Sequence, residues 1–87
     1  MEIELRDLNR NNISNSKFYR DNISKTINNF NKKYHIENNI TINNVNSYIL
    51  KIHITNKFYL NYITYLIKIL NESNNRKFNF ILTGIKE

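Results

Sequence analysis

Asn39-Ile40-Thr41-Ile42-Asn43-Asn44-Val45-Asn46-Ser47-Tyr48-Ile49-Leu50-Lys51-Ile52-His53-Ile54-Thr55 is the stretch that decides the fold. Ile40 and Ile42 alternate with Thr41 and Asn43, and Tyr48, Leu50, Ile52 and Ile54 then repeat every second residue. A period of two puts each set on one face of a strand. Between them lies an Asn-rich turn at 43–46, and Asn tolerates the left-handed backbone that tight turns require. Two alternating runs joined in this way predict a β-hairpin.

On either side of the hairpin the period changes. Upstream, Tyr19, Ile23, Ile27, Phe30 and Tyr34 are spaced four, four, three and four apart. They fall within an arc of about 80° on a helical wheel, which predicts an amphipathic helix over 17–34. Ser16 is its N-cap, and Lys32 and Lys33 suit the negative end of its dipole. Downstream, Asn56 caps a second helix over 57–71, whose polar residues Lys57, Asn61, Thr64 and Lys68 form one narrow stripe. Glu2-Ile3-Glu4-Leu5-Arg6 reads as a first strand and Phe78-Asn79-Phe80-Ile81-Leu82 as a last one, with loops at 9–15 and 71–75. The order is β-α-β-β-α-β. That order predicts an α+β, ferredoxin-like domain spanning 1–87: a four-stranded antiparallel sheet with both helices on one face and strands one and three in the centre. The expected core is Ile3, Leu5, Tyr19, Ile23, Ile27, Phe30, Ile40, Ile42, Leu50, Ile52, Ile63, Leu66 and Phe80.

Composition limits what this domain can do. Nineteen asparagines and fifteen isoleucines in 87 residues, with no alanine, proline, cysteine, tryptophan or glutamine, mark the product of an A/T-rich genome. Lack of cysteine excludes disulfides, thiolate catalysis and Cys-ligated metal centres. The longest apolar-rich run, 58–70, is too short for a membrane span of about 20 residues. The first residues alternate charged and apolar types, unlike a secretory signal. Asn-x-Ser/Thr triplets begin at Asn12, Asn22, Asn39 and Asn71; without such a signal they carry no weight, and an intracellular protein, cytoplasmic or organellar, is expected.

Ile3-Glu4-Leu5-Arg6-Asp7-Leu8 resembles, in its aliphatic spacing, the first-strand motif of the RNA recognition motif family. Ser47-Tyr48 precedes strand three where that family has a glycine–aromatic pair. The resemblance implies RNA stacked on aromatic residues of the open sheet face. By alternation, however, Tyr48 turns to the core with Leu50, while Glu2, Glu4, Arg6, Ile49, Lys51 and His53 form the open face. The likeness therefore extends to layout and stops short of the stacking motif. Lys68-Ile69-Leu70-Asn71-Glu72, followed by Arg76 and an apolar strand, is similar to the C-terminal part of a small-subunit ribosomal protein with the same element order, without that family's extended hairpin.

No catalytic constellation stands out. His35 and His53 lie in different elements, and Glu2 and Glu4 share a strand face with Arg6, Lys51 and His53, which suits cross-strand ion pairing. No enzyme, cofactor, metal or small-molecule substrate is expected. The functional signal is the net charge of +6. Arg10, Lys17, Arg20, Lys25, Lys32 and Lys33 cluster on and before helix one against the single acid Asp21, a pattern suited to phosphate contacts on structured RNA. Helix two has an apolar arc of about 220°, wider than the roughly 100° a surface helix needs. One of its flanks, Phe58/Tyr65/Ile69 or Leu60/Ile67, is expected to meet a protein partner or a second copy. The sequence therefore points to a binding module, an RNA-binding structural or accessory component of a ribonucleoprotein particle. The alternative is a virus- or mobile-element-encoded module that docks on a host factor. A basic patch confined to one face favours the first, and charge spread evenly favours the second.

Overall fold

The computed structural model describes residues 1–34, 40–55 and 60–87, and of Leu60 the backbone alone. The elements follow in the order β1 (Glu2–Asp7), a 3-10 turn (Ile13–Asn15), α1 (Lys17–Lys33), β2 (Ile40–Asn46), β3 (Ile49–Ile54), α2 (Leu60–Glu72), a tight turn (Asn74–Arg76) and β4 (Phe80–Lys86). The four strands form one antiparallel sheet in the order β2-β3-β1-β4, the ferredoxin-like arrangement, with β1 and β3 central. Both helices cover one face. The expected Asn56 cap, together with Lys57, Phe58 and Tyr59, lies outside the described residues.

Alternation fixes which side of β1 is buried: Ile3 and Leu5 are inaccessible, and Arg6 is exposed. Opposite them on β3, Ile52 pairs with Ile3 and Leu50 with Leu5, so the apolar rows of the two central strands coincide. Ile23, Ile27 and Phe30 of α1 and Ile63, Leu66 and Leu70 of α2 close this core from above. Ser16 caps α1 as its position requires, its hydroxyl accepting from the Tyr19 N–H at 3.2 Å.

Three sequence expectations are corrected. First, 43–46 is strand, and the hairpin turn is Ser47-Tyr48, with Ser47 at φ 56°. β2 continues because Asn43 is an extra residue: Ile42 pairs with Ile52, but Asn44 pairs with Lys51. The bulge shifts the alternation by one, so Val45, opposite Leu50, reaches the helix side and packs against the core. Tyr48 consequently sits in the turn instead of on the core face of β3. Second, β4 runs to Lys86 instead of ending at Leu82, again through a bulge: Leu5 pairs with Leu82 and Glu4 with Gly84, leaving Thr83 extra. Phe78 is buried ahead of the strand, stacked on Phe80 with ring centroids 5.3 Å apart. Third, Tyr19 and Ile42, expected inside, are half-buried at the rim.

The 9–15 loop is more than a connector. Ile13 is inaccessible, and its N–H donates to the Ser47 carbonyl at 2.8 Å, tying the loop to the hairpin turn. Asp7, next in the core row after Ile3 and Leu5, is 1% exposed. Its Oδ1 accepts from the backbone N–H of Asn9 at 3.1 Å and of Asn79 at 2.8 Å. Its Oδ2 accepts from the Asn11 N–H at 2.9 Å and the Asn11 side-chain amide at 2.7 Å.

Replacing Ile52 with Ala should lower the unfolding free energy by about 2–5 kcal/mol, read from urea denaturation, because a fully buried side chain leaves a cavity. Asp7→Asn should cost about 1.5–3 kcal/mol in the same experiment, since an amide NH2 then opposes backbone donors. A neutral Asp7→Asn would mean the loop holds itself without the carboxylate.

Candidate functional site

Helix α1 presents the cations. With 100° per residue, Lys17, Lys25 and Lys32 lie within about 80° of one another, opposite Ile23, Ile27 and Phe30. All three lysines are exposed, as are Arg20 on one flank and Lys33 on the other. Asp21 lies between Lys17 and Lys25 on the outer arc. Lys33 rims a shallow groove of about 270 Å³ between the helices, shared with Thr26, Asn29, Phe30, Ile69 and Ser73. Its ammonium lies 5.6 Å from the Tyr34 ring centroid.

At the end of the domain where β1 finishes and β4 starts, the expected Arg10 is joined by two cations not anticipated from the sequence, Arg76 and Lys77. Arg10, at φ 55°, lays its guanidinium 5.8 Å from the Tyr48 ring centroid. Lys77 sits with its ammonium 5.2 Å from the centroid of Tyr19, whose ring meets Phe78 edge-on at 5.0 Å. The Lys77 carbonyl accepts from the side-chain amides of Asn9 at 2.8 Å and Asn11 at 2.9 Å, so this loop is fixed against the Asp7 turn. Arg76 ends three successive left-handed residues, Asn74, Asn75 and Arg76, at φ 52°, 56° and 59°. Beside Lys17, Phe18 is 66% exposed and meets Tyr19 edge-on at 5.9 Å. Nothing in the local sequence distinguishes Lys77 or Phe18; only the folding of β4 beside β1 brings their segments together.

The expected interface on α2 divides. Ile67 and Ile69 are half-buried against the core, and Tyr62 joins a ring cluster with Phe30 and Tyr34. Tyr65 remains 52% exposed, stacked on Tyr34 at 6.4 Å and 21°. Much of the wide apolar arc thus serves the seam with α1. Phe58 and the Leu60 side chain lie outside what is described, as does His35.

The open sheet face is different in kind. Glu2, Glu4 and Arg6 on β1 and Ile49, Lys51 and His53 on β3 share it, and His53 lies opposite Glu2. The Glu2 carboxylate accepts from the Asn43 amide. Glu4 Oε2 accepts from the Thr83 hydroxyl at 2.7 Å and from Arg6 Nε at 3.3 Å. The Thr83 bond holds the Glu4 carboxyl below its ordinary pKa; slight burial opposes this, and the Arg6 and Lys51 charges assist it. Among the described residues no group of His, Asp and Glu side chains gathers to hold a metal, and no helix is long and apolar enough to cross a membrane.

Fold and site together define a ferredoxin-like α+β module with a cationic outer face on α1 and a sheet face of mixed charge. Comparison of the chain with protein-family models, curated proteins and solved structures found no match.

Because the folded state favours ionised Glu4, its contribution is present above the pH where an unfolded glutamate titrates. It fades as pH falls through the lowered folded value. An NMR titration should place the Glu4 midpoint below that of glutamate in an unstructured peptide, and Thr83→Val should raise it. A midpoint unmoved by that substitution would exclude the hydroxyl as the main cause.

Proposed function

We propose that the protein is a non-enzymatic RNA-binding module, a structural or accessory component of a ribonucleoprotein particle, that lays α1 against the phosphates of structured RNA. The observation that carries this reading is the uneven distribution of charge. Lys17, Lys25, Lys32 and Lys33 stand exposed on α1 with Asp21 among them, while Arg10, Arg76 and Lys77 extend the positive surface beyond its N-terminal end. On the sheet face Arg6, Lys51 and Lys86 are interleaved with Glu4 and Glu2, which offset most of their charge. Phosphates attract the first surface and have little reason to approach the second. Asn28 and Asn29, both exposed on the same helix, add amide donors for sugar and phosphate oxygens. Phe18 supplies an exposed ring on which an unpaired loop base can stack next to Lys17.

Such binding weakens with salt, by about 0.7–0.9 log units of affinity per phosphate contact for each log unit of salt. In fluorescence anisotropy with a labelled RNA hairpin, replacing Lys25, Lys32 and Lys33 together by Gln should lower affinity and flatten the salt slope by about 2–3. The loss should depend little on RNA sequence. A triple variant that binds as tightly as the parent, with the same slope, would show α1 to be a solvated face and remove the proposal.

A further inference from the structure

The sheet has two edges, and they are built differently. On β2 the open-face positions are Thr41, Asn44 and Asn46, and the bulged Asn43 is engaged with Glu2. The helix-side Ile42 and Val45 of this strand are half-buried against the core, so this edge exposes little apolar surface to a further strand. On β4, Ile81 and Leu82 are each 40% exposed and Ile85 is 52% exposed. Only β1 pairs with β4 among the described residues, so its outer N–H and C=O groups have no strand partner there. Pairing with β1 also settles the faces. Leu82 and Ile85 lie opposite Leu5 and Ile3 on the helix side, and Ile81 and Lys86 lie opposite Arg6 and Glu2 on the open side.

We propose that β4 pairs antiparallel with β4 of a second copy of this chain, joining two four-stranded sheets into one of eight. The self-complementarity of the strand selects that occupant. A two-fold axis between Thr83 and Gly84 sets Leu82 against Ile85 of the second copy on the helix side. It sets Ile81 against Lys86 of the second copy on the open side, where the lysine stem can lie along the isoleucine. Both pairings keep to one face because the Thr83 bulge, which shifts the alternation, lies at the axis. Without the bulge Leu82 and Ile85 would face opposite sides and no two-fold register would match them.

Charge allows the approach. Two chains of net charge +6 repel each other, but α1 packs towards β2 at the opposite edge, and Arg76 and Lys77 precede the strand. Next to it Lys51 and Lys86 share a shallow groove with Glu2 and Glu4. Gly84 contributes no side chain at the axis. Since β2 is blunted, the pairing closes at two copies and does not propagate. The inference stands on the edge geometry and does not depend on RNA binding.

Sedimentation velocity on nuclease-treated protein in high salt tests it without bridging nucleic acid. The parent should sediment as a concentration-dependent dimer. Leu82→Lys combined with Ile85→Lys should give a monomer with an unchanged circular dichroism spectrum. The chain has no cysteine, so Thr83→Cys introduces a unique thiol. The axis brings its two copies to about 6 Å between Cα atoms, within disulfide reach. Mild oxidation should cross-link Thr83→Cys and leave Asn44→Cys, on β2, monomeric. The cysteine pair decides the matter if the double lysine variant fails to fold. A parent that stays monomeric up to its solubility limit overturns the proposal. So does a dimer that survives both lysines, or equal cross-linking of the two cysteine variants.

Discussion

One buried carboxylate holds together the end of the domain where most of its segments meet. Asp7 occupies a core position on β1, and a desolvated charge there is costly unless donors surround it. Backbone N–H groups of Asn9, Asn11 and Asn79 and the Asn11 amide supply them. These donors come from the loop after β1 and from the entry to β4, segments far apart in sequence, since Asp7 and Asn79 are separated by 72. Satisfying Asp7 therefore fixes where β4 begins, which in turn seats Phe78 against Tyr19 and Lys77 above it. The same turn lets Ile13 reach the core and bind the hairpin loop through Ser47. Charge-assisted bonds of this kind are among the stronger ones available to a small domain.

The two bulges determine what the edges of the sheet present. A strand's faces alternate strictly, so a single extra residue exchanges them beyond that point. Asn43 does this on β2 and brings Val45 inward after two asparagines that could not enter a core. Thr83 does it on β4 and turns Ile85 to the helix side while its hydroxyl binds Glu4. Each bulge thus reconciles an irregular sequence with a regular core. The two edges still differ: the apolar residues of β2 are half-buried or buried against the core, whereas Ile81, Leu82 and Ile85 of β4 stay exposed.

Charge is segregated by layer. The helix layer has a core side of Ile23, Ile27 and Phe30 and an outer side of lysines, so its electrostatic character follows from amphipathicity. On the sheet face, Glu2 and Glu4 sit among Arg6 of the same strand and Lys51 and Lys86 of its two neighbours, so acids offset most of the positive charge there. The RNA contact and the strand pairing proposed above would therefore use different surfaces of one small domain.

Much of the fold was legible in the sequence because it depends on periodicity. The 3.6-residue spacing of Ile23, Ile27 and Phe30 and the two-residue spacing of Leu50, Ile52 and Ile54 are local properties, and local patterns fix element type and inward face. Ser16 was legible as a cap for the same reason. The cations of α1 could be read as one exposed face, since a helix wheel needs no tertiary information. What the sequence could not show depends on contacts between distant segments. The Asn43 and Thr83 bulges exist because neighbouring strands impose their register. Asp7 is tolerated inside because a loop 72 residues away supplies a donor. Tyr62 and Ile69 are drawn into the seam because α1 lies beside them. The sequence determined the elements and the sides they bury; the tertiary structure decided register, which apolar residues remain outside, and which basic segments come together, because those follow from pairing across the sheet and not from any spacing along the chain.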